Sequence, residues 1–183
     1  MMRHTAAALV ALVFAAPAHA AATMIGEGPA RACYAAAVAG DGALQGLREC
    51  DVALGSDSLT ANDRAATMIN RGVIRLQRRE ARLALADFDA AVAWRPLLAE
   101  GHVNRGAALI LLGENDAAIA AITHGLSLQP RDPHEAYFNR ALAHERKGDV
   151  RAAYADFQRA AELAPTWTLA QAELARFEVR PRQ

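Results

Sequence analysis

Between residues 61 and 165 the apolar side chains recur in steps of three and four. Ala84, Phe88, Ala91 and Trp94 make one such stripe, Ala118, Ile122, Gly125 and Leu128 a second, and Ala153, Phe157, Ala160 and Leu163 a third. That spacing places each set on one face of an α-helix. A shorter motif precedes each stripe: Asn70-Arg-Gly, Asn104-Arg-Gly and Asn139-Arg-Ala. A proline, at 96, 130 or 165, follows each one. The asparagines and the prolines are both separated by 34 and then 35 residues, the extra residue falling in the Gln129–Pro133 connector. Each unit therefore reads as helix, tight turn, helix and a proline stop, and a period of this length signals an α-solenoid of antiparallel helix pairs.

The boundaries follow from local chemistry. In the third unit Asp132 is the expected N-cap, Pro133 suits the first helical position and Glu135 completes a box-like spacing. Lys147-Gly148-Asp149 breaks that helix, and Val150 to Leu163 form the next. Gly72, Gly106 and Ala141 share one equivalent position, where a minimal side chain lets paired helices approach. Trp167, Ala170, Leu174 and Phe177 fall on one face of a predicted capping helix over 166–180, within a C-terminal segment 166–183. The expected organisation is thus all-α, with an N-terminal segment 21–60, an array 61–165 built from units 65–98, 99–133 and 134–165, and the cap.

The first residues read as an address. Arg3 precedes an apolar run from Thr5 to Ala16, and Ala18-His19-Ala20 supplies small residues two apart. This is the pattern of a secretory signal peptide over 1–20, cleaved after Ala20. The run is shorter than the ~20 residues that span a bilayer, so no membrane insertion is expected after cleavage, and the expected location is periplasmic or secreted. Export makes the two cysteines, Cys33 and Cys50, a disulfide candidate. Gly40-Asp41-Gly42 turns the chain between them, and with both arms helical each lies about 12–14 Å from the turn. The alternative is two buried free thiols. Residues 30–54 then form a helical hairpin, a degenerate fourth repeat, joined to the array by 55–60.

The repeated residues resemble those of the tetratricopeptide repeat family. The third unit carries the resemblance best, with Tyr137, Ala141, Ala153, Phe157, Ala160 and Pro165 at matching positions. It extends over roughly 65–165. Arg75, His144 and His102 depart from the pattern, standing where the family usually has aromatics. With the signal-peptide pattern, the chain reads as an exported bacterial protein of that family, and the resemblance implies that the first helices line a concave groove. It places Asn70, Asn104 and Asn139 there, with Val73, Ala107 and Leu142, with Phe138 beside Ile69 and Val103, and with Arg146 one turn further. A side-chain amide donates and accepts at once, so a ladder of asparagines suits the backbone of an extended peptide. The groove lacks the lysines with which some family members clamp a terminal carboxylate. Arg71, Arg105 and Arg140 follow each asparagine; they either face acidic groups of a partner or form internal ion pairs with Asp87, Asp89 and Asp156.

Composition narrows the functional classes. The 183 residues carry 20 basic and 20 acidic side chains, so no charge excess points to nucleic acid or to an anionic membrane. About a quarter are alanine, and aromatics are only 5%, which suits cheap helices and not a β-sandwich. Asp87 and Asp89, two apart on one helix, point in different directions and do not make a catalytic dyad. His102, His124, His134 and His144 have no zinc-ligand spacing, and no nucleophile-elbow or phosphate-loop motif occurs. The expectation is a non-enzymatic adaptor without cofactor or metal, binding a protein or extended peptide through its groove. The alternative is an assembly component that uses the repeat ends.

Overall fold

The computed structural model describes residues 2–4, 28–40, 42–56 and 58–179. The expected signal peptide falls, apart from Met2–His4, outside the described residues, as does Asp41 of the expected turn. Thr60 starts the array: its hydroxyl accepts the Asp63 N–H at 3.1 Å and caps the helix Ala61–Gln77. This helix (α3) is preceded by α1 (Pro29–Ala39) and α2 (Leu44–Leu54). It is followed by α4 (Ala81–Trp94), α5 (Ala99–Leu112), α6 (Asn115–Ser127), α7 (Pro133–Arg146) and α8 (Val150–Leu163). A short α9 (Thr168–Leu174) closes the series. Each helix packs on the next, and α1, α3, α5 and α7 also line up side by side. The architecture is the all-α solenoid of helix pairs that the 34-residue period predicts.

Close approach within each pair follows from the small residues. A Cβ added at Gly72 would lie 2.5 Å from the Phe88 ring, and one at Gly106 would lie 2.3 Å from Ile122. Phe88, Ile122 and Phe157 are fully buried beneath the first helices and form the centre of successive core layers. Gly148 turns α7 into α8 at φ 80, in the left-handed region that glycine enters without steric cost. Asp149 then caps α8 by accepting the Ala152 N–H at 3.1 Å. The Asp132 side chain makes no such bond at the start of α7; its backbone carbonyl accepts the Glu135 N–H at 3.2 Å instead.

The ends differ from expectation in one respect. At the N-terminal end Cys33 and Cys50 are bonded, with Cα atoms 4.7 Å apart, and the α1–α2 hairpin stacks on α3 like a preceding repeat. At the C-terminal end the helix stops at Leu174, short of the predicted 166–180. Phe177–Val179 (β2) is extended and pairs antiparallel with Met2–His4 (β1), Arg3 opposite Glu178. The apolar spacing favoured a continued helix. Two contacts reposition the chain: Phe177 packs on Tyr154 and Phe157, and Arg176 reaches Glu145 of α7 at 2.7 Å.

Candidate functional site

The three first helices α3, α5 and α7 bring the residues of the expected ladder to equivalent positions. Asn70, Asn104 and Asn139 are all fully buried. Both amide atoms of Asn70 and of Asn104 lack a hydrogen-bond partner. Buried carboxamides are normally paired, so two unpaired ones at equivalent positions mark an exception that calls for an explanation. Val73, Ala107 and Leu142 are 2%, 0% and 3% exposed, and Ile69, Val103 and Phe138 are buried as well. Phe138 has a second role: its ring meets Phe157 at 5.2 Å and Trp167 at 5.0 Å, tying α7 to α8 and to the cap. Arg146 is exposed and donates to the Ile110 carbonyl, which joins α7 to the end of α5.

The second helices bury one face, as surface helices do. The first helices are buried far more completely around their circumference: along α5, Gly101, Val103, Asn104 and every residue from Gly106 to Ile110 are buried. Among the described elements, the principal packing of α5 is with α3, α4, α6 and α7. The buried residues of α5 are apolar apart from Asn104, and none of them is charged.

The recurring arginines are accounted for inside the molecule. Arg71 donates to Asp87 at 2.7 Å and to Asp51 at 2.6 Å, and Arg75 reaches the same Asp87 at 2.7 Å. Arg140 forks onto Asp156 at 2.7 and 2.8 Å. The matching position in the middle unit is Ala121, and Arg105 turns back to Asp89 of the preceding unit at 2.6 Å. Burial opposes the charge on Arg71, but Asp87 and Asp51 outweigh it and hold the guanidinium above its ordinary pKa. For Arg140 the bond to Asp156 dominates, with the same direction. Of the two roles open to these arginines, the structure realises the internal ion pairs. It also explains Arg75, whose guanidinium fills an aromatic position by bridging to Asp87 and to the Leu83 carbonyl.

His102 takes the place of another aromatic. Its ring stands edge-on to His124 at 4.4 Å, and Nε2 lies 2.8 Å from the Pro96 carbonyl. Burial lowers its pKa, with His124 and Arg105 adding to the effect. His144 Nδ1 lies 3.8 Å from Asp149. Among the described residues no group of three or more His, Cys, Asp or Glu side chains could hold a metal ion, and no helix is long and apolar enough to cross a membrane.

Sequence reasoning missed one cluster. Arg176 pairs with Glu173 of α9 and with Glu145 of α7, so the ion pairs tie the C-terminal segment to α7. Burial opposes the Arg176 charge and the two glutamates outweigh it. The three-residue spacing of Glu173 and Arg176 was a visible signal of the local pair; the link to Glu145 was not.

Tetratricopeptide repeat family models match residues 99–132 and 134–167. Solved structures share the fold. TTC0263, a thermophilic TPR protein of Thermus thermophilus, aligns with TM-score 0.62 and 20% identity over 81% of this chain and 80% of its own. The first TPR domain of human RPAP3 aligns with TM-score 0.58 and 22% identity, over 61% and 87%. The first TPR of Spaghetti (RPAP3), bound to the HSP90 peptide SRMEEVD, aligns with TM-score 0.59 and 20% identity, over 66% and 94%. No curated protein matches the sequence.

Proposed function

Because this chain is a tetratricopeptide repeat protein, we propose that it is an adaptor that binds a protein or extended peptide along the concave side of α3, α5 and α7. One observation carries this reading: Asn70 and Asn104 hold buried, unpaired carboxamides at equivalent positions of successive repeats. A peptide backbone offers one donor and one acceptor per residue, and a side-chain amide satisfies both. The similar repeat domain that carries an HSP90 peptide supports a peptide as the class of ligand. The chemistry of the occupant differs, however. SRMEEVD is acidic, whereas Val73, Val103, Ala107 and Leu142 offer apolar walls. The favoured ligand here is an extended segment with apolar side chains and few charges.

The adaptor acts outside the cytoplasm, in the periplasm of a bacterium or in its medium. The signal-like residues 1–20 and the Cys33–Cys50 bridge support that location. N-terminal sequencing of exported protein is expected to begin at Ala21; material beginning at Met1 or Met2 contradicts it. The binding reading is tested by cross-linking in the native envelope, comparing the unaltered chain with one carrying Asn70→Ala, Asn104→Ala and Asn139→Ala. The triple variant is expected to lose the cross-linked partner by at least about tenfold, on the order of 1.4 kcal/mol. Equal recovery by a folded triple variant rejects the groove.

A further inference from the structure

The first and third repeats share an ion pair that the middle repeat lacks. Arg71 and Arg140 each donate to an aspartate sixteen residues on, Asp87 of α4 and Asp156 of α8. Both aspartates are buried. The two guanidinium groups also reach back to the preceding second helix. Arg71 donates to Asp51 of α2 at 2.6 Å, and Arg140 to the Thr123 hydroxyl of α6 at 3.0 Å. In the middle repeat the equivalent of the buried aspartate is Ala121 of α6.

Arg105 keeps only the backward half of this arrangement. Among the described residues its guanidinium makes one hydrogen bond, from Nε to Asp89 of α4 at 2.6 Å. The terminal nitrogens of Arg71 and Arg140 hold carboxylate or hydroxyl oxygens, and those of Arg105 have no such partner among the described residues. The Arg105 side chain is 34% exposed, against 20% for Arg71 and for Arg140. We propose that Arg105 is a docking point for an acidic side chain of a protein partner, whose carboxylate takes the role of the aspartate missing from the middle repeat.

The choice of a carboxylate follows from the neighbouring repeats. A guanidinium presents a planar fork that matches two carboxylate oxygens, and Arg140 grips Asp156 in this way at 2.7 and 2.8 Å. The surroundings favour an acidic partner as well. His102 lies three residues before Arg105, on the same face of α5. Its ring meets that of His124 on α6 at 4.4 Å, and His124 is exposed. Burial, His124 and Arg105 together oppose a proton on His102, so basic groups are gathered here. An imidazole still offers an N–H when neutral, so His124 can donate to the second oxygen of an incoming carboxylate. This side of α5 is the one turned to α4 and α6. The inference therefore stands apart from the asparagine ladder and does not depend on it.

The test follows the arginine Nε–Hε resonances of the disulfide-bonded chain as an acetylated hexaglutamate peptide is added, with hexaglutamine as control. The Arg105 resonance is expected to shift more than those of Arg82 and Arg151, two exposed arginines elsewhere, and hexaglutamine is expected to move none of them. Ala121→Asp supplies the missing carboxylate from within. It is expected to weaken the peptide response at Arg105 by at least about tenfold, whereas Ala121→Asn, of equal size and uncharged, leaves the response in place. Arg105→Gln tests the same point without a buried substitution. The affinity for hexaglutamate, read from the His124 ring resonances, is expected to fall by at least about tenfold with the helical circular dichroism retained. Equal shifts at Arg105, Arg82 and Arg151 overturn the proposal. So does a response that survives Arg105→Gln or a folded Ala121→Asp variant, or an equal response to inorganic phosphate. Asn70→Ala combined with Asn104→Ala is expected to leave the Arg105 response intact, so failure of the groove and failure of this docking point are read separately.

Discussion

Asp87 joins two arginines of α3 to α4. It is almost fully buried, and it accepts from both Arg71 and Arg75, while Arg71 continues to Asp51 of the N-terminal hairpin. Asp87→Ala leaves two half-buried guanidinium groups without their main partner and is expected to lower unfolding free energy by about 3 kcal/mol. Arg105→Ala, at an exposed pair with Asp89, is expected to cost less than about 1 kcal/mol. Urea unfolding followed by circular dichroism checks both; equal losses contradict the distinction. His102 gives a prediction in pH. Its folded pKa lies below the unfolded value near 6.5, because burial, His124 and Arg105 disfavour the proton. The unfolded chain therefore binds more protons as pH falls, and stability drops as pH passes downward from the unfolded value through the folded one. His102→Gln is expected to flatten that part of the stability curve, and an unchanged slope contradicts the assignment. Such pairs were partly legible from sequence. The recurring arginines and their aspartate partners could be named, but Arg75 read as a departure from an aromatic pattern because its partner Asp87 lies on another helix.

At the scale of elements, what the sequence disclosed was the period. The 34-residue spacing of asparagines and prolines implied helix pairs, and α7 and α8 end where Lys147-Gly148-Asp149 and Ala164-Pro165 interrupt the pattern. The small residues make a sharp prediction. Gly106→Ala puts a methyl within 2.3 Å of Ile122 and is expected to cost about 1–3 kcal/mol, whereas Gly113→Ala meets no atom and strains only the backbone at φ 81. Differential scanning calorimetry of single and double variants separates clash from strain: Ile122→Val is expected to recover part of the Gly106→Ala loss and none of the Gly113→Ala loss. The C-terminal cap was less legible. Phe177 fits a helical stripe as well as it fits a strand, and its place is decided by Tyr154 and Phe157, which periodicity within one segment does not register. The hairpin was legible, since a turn between two cysteines at matched distances suffices. Opening the bridge with Cys33→Ser and Cys50→Ser is expected to cost about 3 kcal/mol on chain-entropy grounds, and thiol titration of the unfolded, non-reduced chain is expected to find no free sulfhydryl.

For the whole molecule, the stacked pairs bury apolar residues along α3, α5 and α7, with two unsatisfied carboxamides among them. The resemblance to a repeat family is what singled out these positions in the sequence. It did not disclose how completely they are buried, because burial there depends on packing against neighbouring helices. The most direct measurement of the account is a titration followed through the side-chain amide resonances of Asn70 and Asn104, assigned by single alanine variants, as the cross-linked partner from the envelope is added. Both pairs of resonances are expected to shift and to gain protection from exchange with water in step with binding. Resonances that stay fixed while the backbone of α4, α6 or α8 responds would place the partner on the other side of the array and contradict the account.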